Sequence, residues 1–372
     1  MVIFFIIVAI VAVFLQKLSM RNAAKKDCIL YSCKPSVPGC EPNEEFTVLS
    51  TITNLSKRPS PVLRIEERFP KQLDIASSHD FNIRSVGEHR IFVSTATIKG
   101  RQRVKRSLTA SIGRRGEYCF SFAEFHAGDF LGFNEFDYFK DNREFIVIYP
   151  HLIENADFLK TFTDTFDSIA MRRRLLEDPI SVRGYRDYTG REPMRAISFK
   201  QSAVRNKLIA KEYDPTWQES VTVVLDTQYH GEYDLHVKRQ EFCFSAARTV
   251  CEALEEKGLE YRLVTNAIIS DGISTFYSPG GKGPAFRKIL YGLGSAKNGE
   301  TCSVGELISS TCTGSLREKT VIFIATRHND EVNSALSRLR HSIGTDVVEI
   351  LAEDYEIDDS VLGMNGKGDK NE

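Results

Sequence analysis

Three patterns of apolar and polar positions follow one another along the chain. Val2 to Leu15 is an unbroken apolar run, closed by Gln16 and Lys17. From Glu45 to about Pro150 the period is two. Phe46-Thr47-Val48-Leu49-Ser50-Thr51-Ile52, Arg90-Ile91-Phe92-Val93-Ser94 and Tyr118-Cys119-Phe120-Ser121-Phe122 all alternate. Breaks at Pro59-Ser60-Pro61, Gly87, Gly100 and Gly113 separate short strands, the pattern of a β-sandwich, and Glu144 to Pro150 reads as its last strand. From Ser220 onward strand-like and helix-like blocks alternate. Strands are expected at Val221–Leu225, Tyr261–Val264, Thr320–Ala325 and Val347–Leu351. Helices are expected at 237–257, where Gly258 stops the helix, and at 285–293, 304–309 and 330–341. That alternation predicts a mostly parallel, doubly wound α/β sheet.

The expected fold class is therefore mixed: a membrane helix, a β-sandwich-like domain and a doubly wound α/β domain. The expected boundaries are 1–22 for the anchor, 23–44 for a juxtamembrane linker and 45–150 for the sandwich. A connector at 151–218, the α/β domain at 219–358 and a disordered tail at 359–372 follow. With Leu18 and Met20 included and Lys17 snorkelling, the apolar run reaches the lower limit for a spanning helix. Lys17, Arg21, Lys25 and Lys26 all lie on its C-terminal side. The positive-inside rule then predicts an uncleaved single-pass anchor with the rest of the chain in the cytoplasm.

Composition narrows the function classes. The chain has 372 residues, 42% hydrophobic and 27% charged, with a formal net charge of -1. That is an ordinary globular balance, with no global field for nucleic acid; Arg101 to Arg106 and Arg172-Arg173-Arg174 read as solvated faces. Eight cysteines are present. A cytoplasmic body implies reduced thiols, and Cys28, Cys33 and Cys40 lack zinc-type spacing. There is no Gly-x-Ser-x-Gly elbow and no P-loop, and Gly280-Gly281-Lys282-Gly283 lacks the ending that cradles phosphate.

Two segments hold candidate chemistry. Asp226 ends the first strand of the C-terminal region, where open α/β sheets bind ligands. The region resembles the von Willebrand factor A fold, in which this position opens an Asp-x-Ser-x-Ser metal site. Here the sequence is Asp226-Thr227-Gln228-Tyr229-His230, so Gln228 and His230 replace both serines. Thr265 and Asp271 are further oxygen candidates. Two readings of Asp226 follow: a Mg-type cation ligand, or a strand-end aspartate capping a turn. The turn cap is preferred, and no cofactor is expected.

The second segment is dense in Arg, Tyr and Gly: Arg183-Gly184-Tyr185-Arg186-Asp187-Tyr188-Thr189-Gly190-Arg191, then Met194 to Ala203. It resembles the signature of the bacterial domain-of-unknown-function 58 family, with matches at Arg186, Tyr188, Gly190, Arg195, Ile197, Lys200, Ser202 and Ala203. Asp187 and Phe199 stand for the usual Glu and Trp, while Arg191 and Val204 depart from the pattern. Arg115-Gly116-Glu117-Tyr118, Gly128 to Phe133 and Val147 to Pro150 resemble further landmarks of that family, in the same order. Its members resemble one another in carrying membrane helices, usually two where this chain shows one, with a β-rich region and a von Willebrand-like domain. They often occur beside MoxR-type AAA+ ATPases.

The resemblance implies a non-enzymatic, membrane-anchored adaptor for such an ATPase in envelope or complex assembly. A metal-dependent adhesion module at Asp226 and an unrecognised hydrolase are the alternatives. Physically, Arg186, Tyr188, Gly190, Arg195, Phe199, Lys200 and Ser202 admit two roles. One is an internal clasp with guanidinia stacked on Tyr188 and Phe199 and paired with Asp187; the other is a partner-binding surface.

Overall fold

The computed structural model describes residues 2–22, 28–75, 82–128, 135–175, 182–190, 192, 194–213, 221–228, 233–312, 320–343 and 346–357. The expected disordered tail, Arg191 and His230 lie outside these residues. The chain divides into two compact units at His151/Leu152.

The first unit opens with α1 (Val2–Asn22), whose apolar side chains Phe4, Ile6, Ile7, Ile10 and Phe14 are exposed. Ten strands follow: β1 (Ile29–Pro35), β2 (Gly39–Cys40), β3 (Phe46–Asn54), β4 (Ser60–Pro70), β5 (Asp74–Ile75), β6 (Asn82–Val86), β7 (His89–Ile98), β8 (Arg103–Ser111), β9 (Gly116–Gly128) and β10 (Glu135–Ile148). They form two sheets, β1-β3-β8-β5 and β2-β10-β9-β4-β7-β6. Residues 23–44, expected to be a linker, thus supply strands to both.

The period-two pattern explains the packing, because every second side chain points to the same face. Phe46, Val48 and Leu108 from one sheet meet Phe69, Phe92, Phe120 and Ile146 from the other in one buried cluster. This is a β-sandwich. Leu63, Ile65, Glu67 and Phe69 of β4 are buried, whereas the intervening Arg64, Glu66 and Arg68 keep partial exposure. Glu67 is thereby carried inward, and burial is compensated by Arg106 Nη2 at 2.7 Å and the Tyr31 hydroxyl at 2.8 Å, both donating to its carboxylate. Burial, then Glu67, pushes the Tyr31 phenol far up, so it stays a donor. Asn142, at the bulge of β10, donates to the Cys33 and Phe120 carbonyls and accepts from the Cys33 amide.

The second unit contains α2 (Ala156–Leu175), β11 (Val182–Asp187), α3 (Phe199–Arg205), β12 (Ile209–Tyr213), β13 (Val221–Leu225), α4 (Tyr233–Glu256), β14 (Tyr261–Thr265), β15 (Ala267–Ile268), β16 (Thr275–Ser278), α5 (Pro284–Ser295), β17 (Lys297–Glu300), α6 (Val304–Cys312), β18 (Thr320–Ala325), α7 (Asp330–Ile343) and β19 (Asp346–Leu351). The region read as a polar connector is partly core. Phe158, Phe162 and Phe166 recur every four residues on α2 and are buried.

The central sheet has the order β16-β14-β13-β18-β19. Every residue of β13 and β18 is buried, as their largely apolar sequences require. Val304, Leu307 and Ile308 of α6 and Val332, Leu336 and Leu339 of α7 pack on Val224, Val264, Val321 and Phe323.

The expected fold class is corrected on two counts. Strands account for 42% of the structure against 32% for helices, so the structure is predominantly β, and among the described residues no spanning helix accompanies it. The central sheet is mixed: β14, β13, β18 and β19 pair parallel, and β16 pairs antiparallel with β14. The connection from Asn266 to Ser274 is shorter than the dozen or so residues that a parallel crossover needs, so the chain can only turn back.

The membrane anchor and the single-pass topology derived from it are corrected as well. Among the described residues no helix is long and apolar enough to cross a membrane. The apolar run ends at Leu15; at about 1.5 Å per residue it covers roughly 21 Å, against about 30 Å of hydrocarbon. The last turns of α1 contain Gln16, Lys17, Ser19, Arg21 and Asn22.

Candidate functional site

The Arg/Tyr/Gly segment folds into a small substructure around the antiparallel pair β11-β12, in which Arg186 opposes Ala210 and Asp187 opposes Ile209. Its interior is short of apolar mass, with Ala196, Ile197, Ile209 and Ala210 buried. Hydrogen bonds make up the difference. The Ser198 amide donates to the Ile209 carbonyl at 2.8 Å. Ser202 Oγ donates to the Ser198 carbonyl and accepts the Ile209 amide, locking α3 onto β12.

Glu192 organises the turn between the strands. Its carboxylate accepts from the Thr189 amide at 3.0 Å and the Thr189 hydroxyl at 2.9 Å, and pairs with Arg186 Nη1 at 2.9 Å. The Tyr188 hydroxyl donates to the Glu192 carbonyl at 3.2 Å. Burial raises the Glu192 carboxyl, but these hydrogen bonds and Arg186 outweigh it and hold the group below the usual carboxylate range. Gly190, at φ +85°, takes the left-handed conformation that reverses the chain there.

The residues singled out from sequence therefore divide into two groups. Arg186, Tyr188 and Ser202 bond to the framework, with Arg186 half-exposed, and Gly190 forms its turn. Phe199 (68% exposed), Lys200 and Arg195 face outward, together with Met194 (75%) and Val204 (76%). The expected clasp differs in detail: Arg186 pairs with Glu192, Asp187 pairs with Lys207 at 2.7 Å, and Phe199 is exposed. Glu192 went unremarked in the sequence because a lone acid among arginines carries no periodic signal. Of the outward apolar residues, Phe199 is a sequence candidate, whereas nothing in the sequence marks Met194 and Val204 as exposed.

Asp226 is fully buried at the carboxyl end of β13. Its Oδ1 accepts from Asn266 Nδ2 at 2.7 Å and from the Gln228 amide at 3.1 Å, the geometry of an Asx turn. Gln228 Oε1 accepts the Val304 amide at the start of α6, and Gln228 Nε2 donates to Glu331. Thr227 bonds Asn266 Oδ1 and the Gly299 carbonyl, Thr265 Oγ1 accepts the Ala267 amide, and Asp271 is exposed. These side chains fit a strand-end clamp better than a cage for a hard cation. Donor groups of Asn266 and Gln228 occupy positions where such an ion needs oxygens. Burial, then the nearby Asp226 carboxylate, pushes the Cys243 thiol well up, which leaves it unreactive. An open cavity of about 360 Å³ lies between α6 and α7, lined by Ser303, Gly305, Asp330, Glu331, Ser334 and Arg338. Ser303 and Glu306 bond each other's backbone amides there as a capping box.

No family model matches this chain, and no curated protein matches it. Among solved structures, a non-cellulosomal cohesin from Archaeoglobus fulgidus is similar at 16% identity over 32% of this chain and 91% of that one, with a TM-score of 0.23. CaCohA2 from Clostridium acetobutylicum is similar at 12% identity over 34% and 94%, with a TM-score of 0.24. The CARDB domain of the PF1109 protein from Pyrococcus furiosus is similar at 10% identity over 31% and 91%, with a TM-score of 0.20. Likeness this weak says nothing about activity or partners.

Proposed function

We propose that this chain is a non-enzymatic protein-binding module that docks its partner through the outward face of the β11-β12 substructure. One observation carries the reading. Met194, Phe199 and Val204 stand more than two-thirds exposed within one short stretch, next to the exposed cations Arg195, Lys200 and Arg205. Leaving a benzyl group and two aliphatic side chains in water forfeits burial that a partner can supply, at about 25 cal/mol per Å². Aromatic anchors ringed by polar groups are the usual form of an interface hot spot. The local positive charge selects a partner with an apolar groove rimmed by carboxylates. The resemblance of residues 183–203 to the domain-of-unknown-function 58 signature supports a MoxR-type AAA+ ATPase as that partner.

The test is biolayer interferometry between the purified full chain and the purified MoxR-type ATPase of the same host. Phe199→Ala is expected to weaken binding by at least about tenfold. Lys200→Glu is expected to slow association and flatten its salt dependence. Both positions are exposed, so circular dichroism should not change. No binding by the parent chain, or full binding by Phe199→Ala, refutes the proposal.

A further inference from the structure

On the outer face of the six-stranded sheet, strand register gathers a cluster that the sequence scatters. Glu66 on β4 lies opposite Glu124 on β9, and His126 on β9 lies opposite Arg64 on β4 and Asp137 on β10. Residues two apart share a face, so Glu66, Glu124, His126 and Asp137 all project from the same side. His126 Nε2 stands 3.8 Å from Glu66 Oε1 and 3.9 Å from Glu124 Oε1, and the three atoms lie within 4.8 Å of one another. The side chains of Glu66, Glu124 and His126 are 16%, 20% and 23% exposed, which makes the cluster a shallow, partly dry recess open to solvent.

The other ring nitrogen decides what this arrangement suits. His126 Nδ1 sits 2.7 Å from Asp137 Oδ1. A carboxylate there fixes Nδ1 as the protonated nitrogen and turns the Nε2 lone pair toward the two glutamates. Three acceptors then converge on one point, an arrangement that a shared cation satisfies. Carboxylate, imidazole and an outer carboxylate on the far ring nitrogen is the standard support of a metal-bound histidine.

Two arginines border the cluster. Arg68 Nη2 lies 3.8 Å from Glu124 Oε2, the oxygen turned away from His126. Arg64 Nη2 donates to Glu66 Oε1 at 2.6 Å and so competes for the oxygen that faces the histidine. Three carboxylates against two guanidinia leave the cluster short of positive charge.

We propose that Glu66, Glu124 and His126 form a divalent-cation site, with Asp137 as the positioning residue for the imidazole. One nitrogen and two oxygen donors suit a zinc-type ion rather than Mg²⁺ or Ca²⁺, with water completing the shell. Metal–ligand bonds of about 2.0–2.2 Å place tetrahedral ligands roughly 3.4 Å apart, so the two distances from His126, 3.8 and 3.9 Å, need close by about half an ångström and the third, within 4.8 Å, by no more than about 1.4 Å. The site lies in the first unit and is independent of the docking surface proposed above.

The test is calorimetric titration of the full chain with Zn²⁺, together with the absorption spectrum of its Co²⁺ complex. The parent chain is expected to bind a single equivalent, with no thiolate-to-cobalt charge-transfer band. His126→Ala and Glu124→Gln should weaken binding by about 100-fold or more, and Asp137→Asn by about 10- to 100-fold. Arg64→Met should tighten binding by removing the internal competitor, and this variant keeps the result interpretable if His126→Ala fails to fold. No binding by the parent chain, unchanged affinity in His126→Ala or Glu124→Gln, weaker or unchanged binding in Arg64→Met, or a thiolate band would each overturn the proposal.

Discussion

The buried ion pair of the sandwich offers the sharpest test of the physical reasoning. Glu67 is 1% exposed and Arg106 retains 22% side-chain exposure, with Nη2 at 2.7 Å from the carboxylate and Nη1 at 2.5 Å from Ser94 Oγ. Arg106→Met preserves most of the aliphatic volume but leaves the carboxylate buried with Tyr31 as its remaining side-chain donor in this cluster. Breaking a buried pair from one side costs about 3–5 kcal/mol; the partial exposure of Arg106 argues for the lower end, about 3 kcal/mol. For a unit of this size that corresponds to roughly 6–12 °C in Tm. The double variant Glu67→Leu/Arg106→Met removes both charges and should recover part of the loss, because Tyr31 then lacks its Glu67 acceptor at about 1–3 kcal/mol. The assay is urea unfolding followed by hydrogen exchange of β3 and β4 peptides, which reads the sandwich alone. A single variant within about 0.5 kcal/mol of the parent, or a double variant worse than the single one, would refute the reasoning, because the carboxylate would then not depend on the guanidinium.

Two further outcomes follow from local geometry. Gly292 on α5 faces the Phe276 ring of β16, and a Cβ there would stand 2.9 Å from Phe276 Cε1; Gly292→Ala should lower the thermal midpoint by about 1–3 kcal/mol equivalent, and a neutral result would mean that the ring moves freely. The Glu192 carboxyl is held below its ordinary value, so the support it lends the turn is fully present above the unfolded carboxylate pKa of about 4.3 and disappears as pH falls through the lower folded value. The Thr189 amide shift in an NMR titration should therefore show a midpoint below about 4.3 in the parent and none in Glu192→Gln; a midpoint at or above 4.3 would contradict the assignment.

Legibility in the sequence followed how local each cause was. Period two in 45–150 marks the strands of the sandwich, because pleating sets which side chains share a face, while the burial of Phe46, Val48, Phe92 and Phe120 is seen only in the packed sheets. The largely apolar runs at Val221–Leu225 and Thr320–Ala325 mark central strands for the same kind of reason. β16 was missed. Thr275–Ser278 is too short to show a period, and its burial alternates only because β14 lies beside it. The apolar run at the N-terminus read as longer than it is, since Leu18 and Met20 lie beyond Gln16 and Lys17. Helix α2 lies inside the expected connector, because its three buried phenylalanines are spaced among charges that dominate the local composition.

The candidate sites divide along the same line. Sequence by itself determined that residues 183–203 form a dense Arg/Tyr/Gly unit and that Asp226 ends a buried strand, because both are facts of adjacent residues. Tertiary structure decided which of those groups face outward: Phe199 and Lys200 are exposed because Ser202, one turn along α3, is tied to β12. It also decided that Gln228 and Asn266 claim the neighbourhood of Asp226, which no spacing rule could foresee, since Asn266 arrives from the end of another strand. Glu66, Glu124, His126 and Asp137 are the limiting case. Nothing in their order along the chain joins them; antiparallel register across three strands does, by converting distance in sequence into side chains a few ångströms apart.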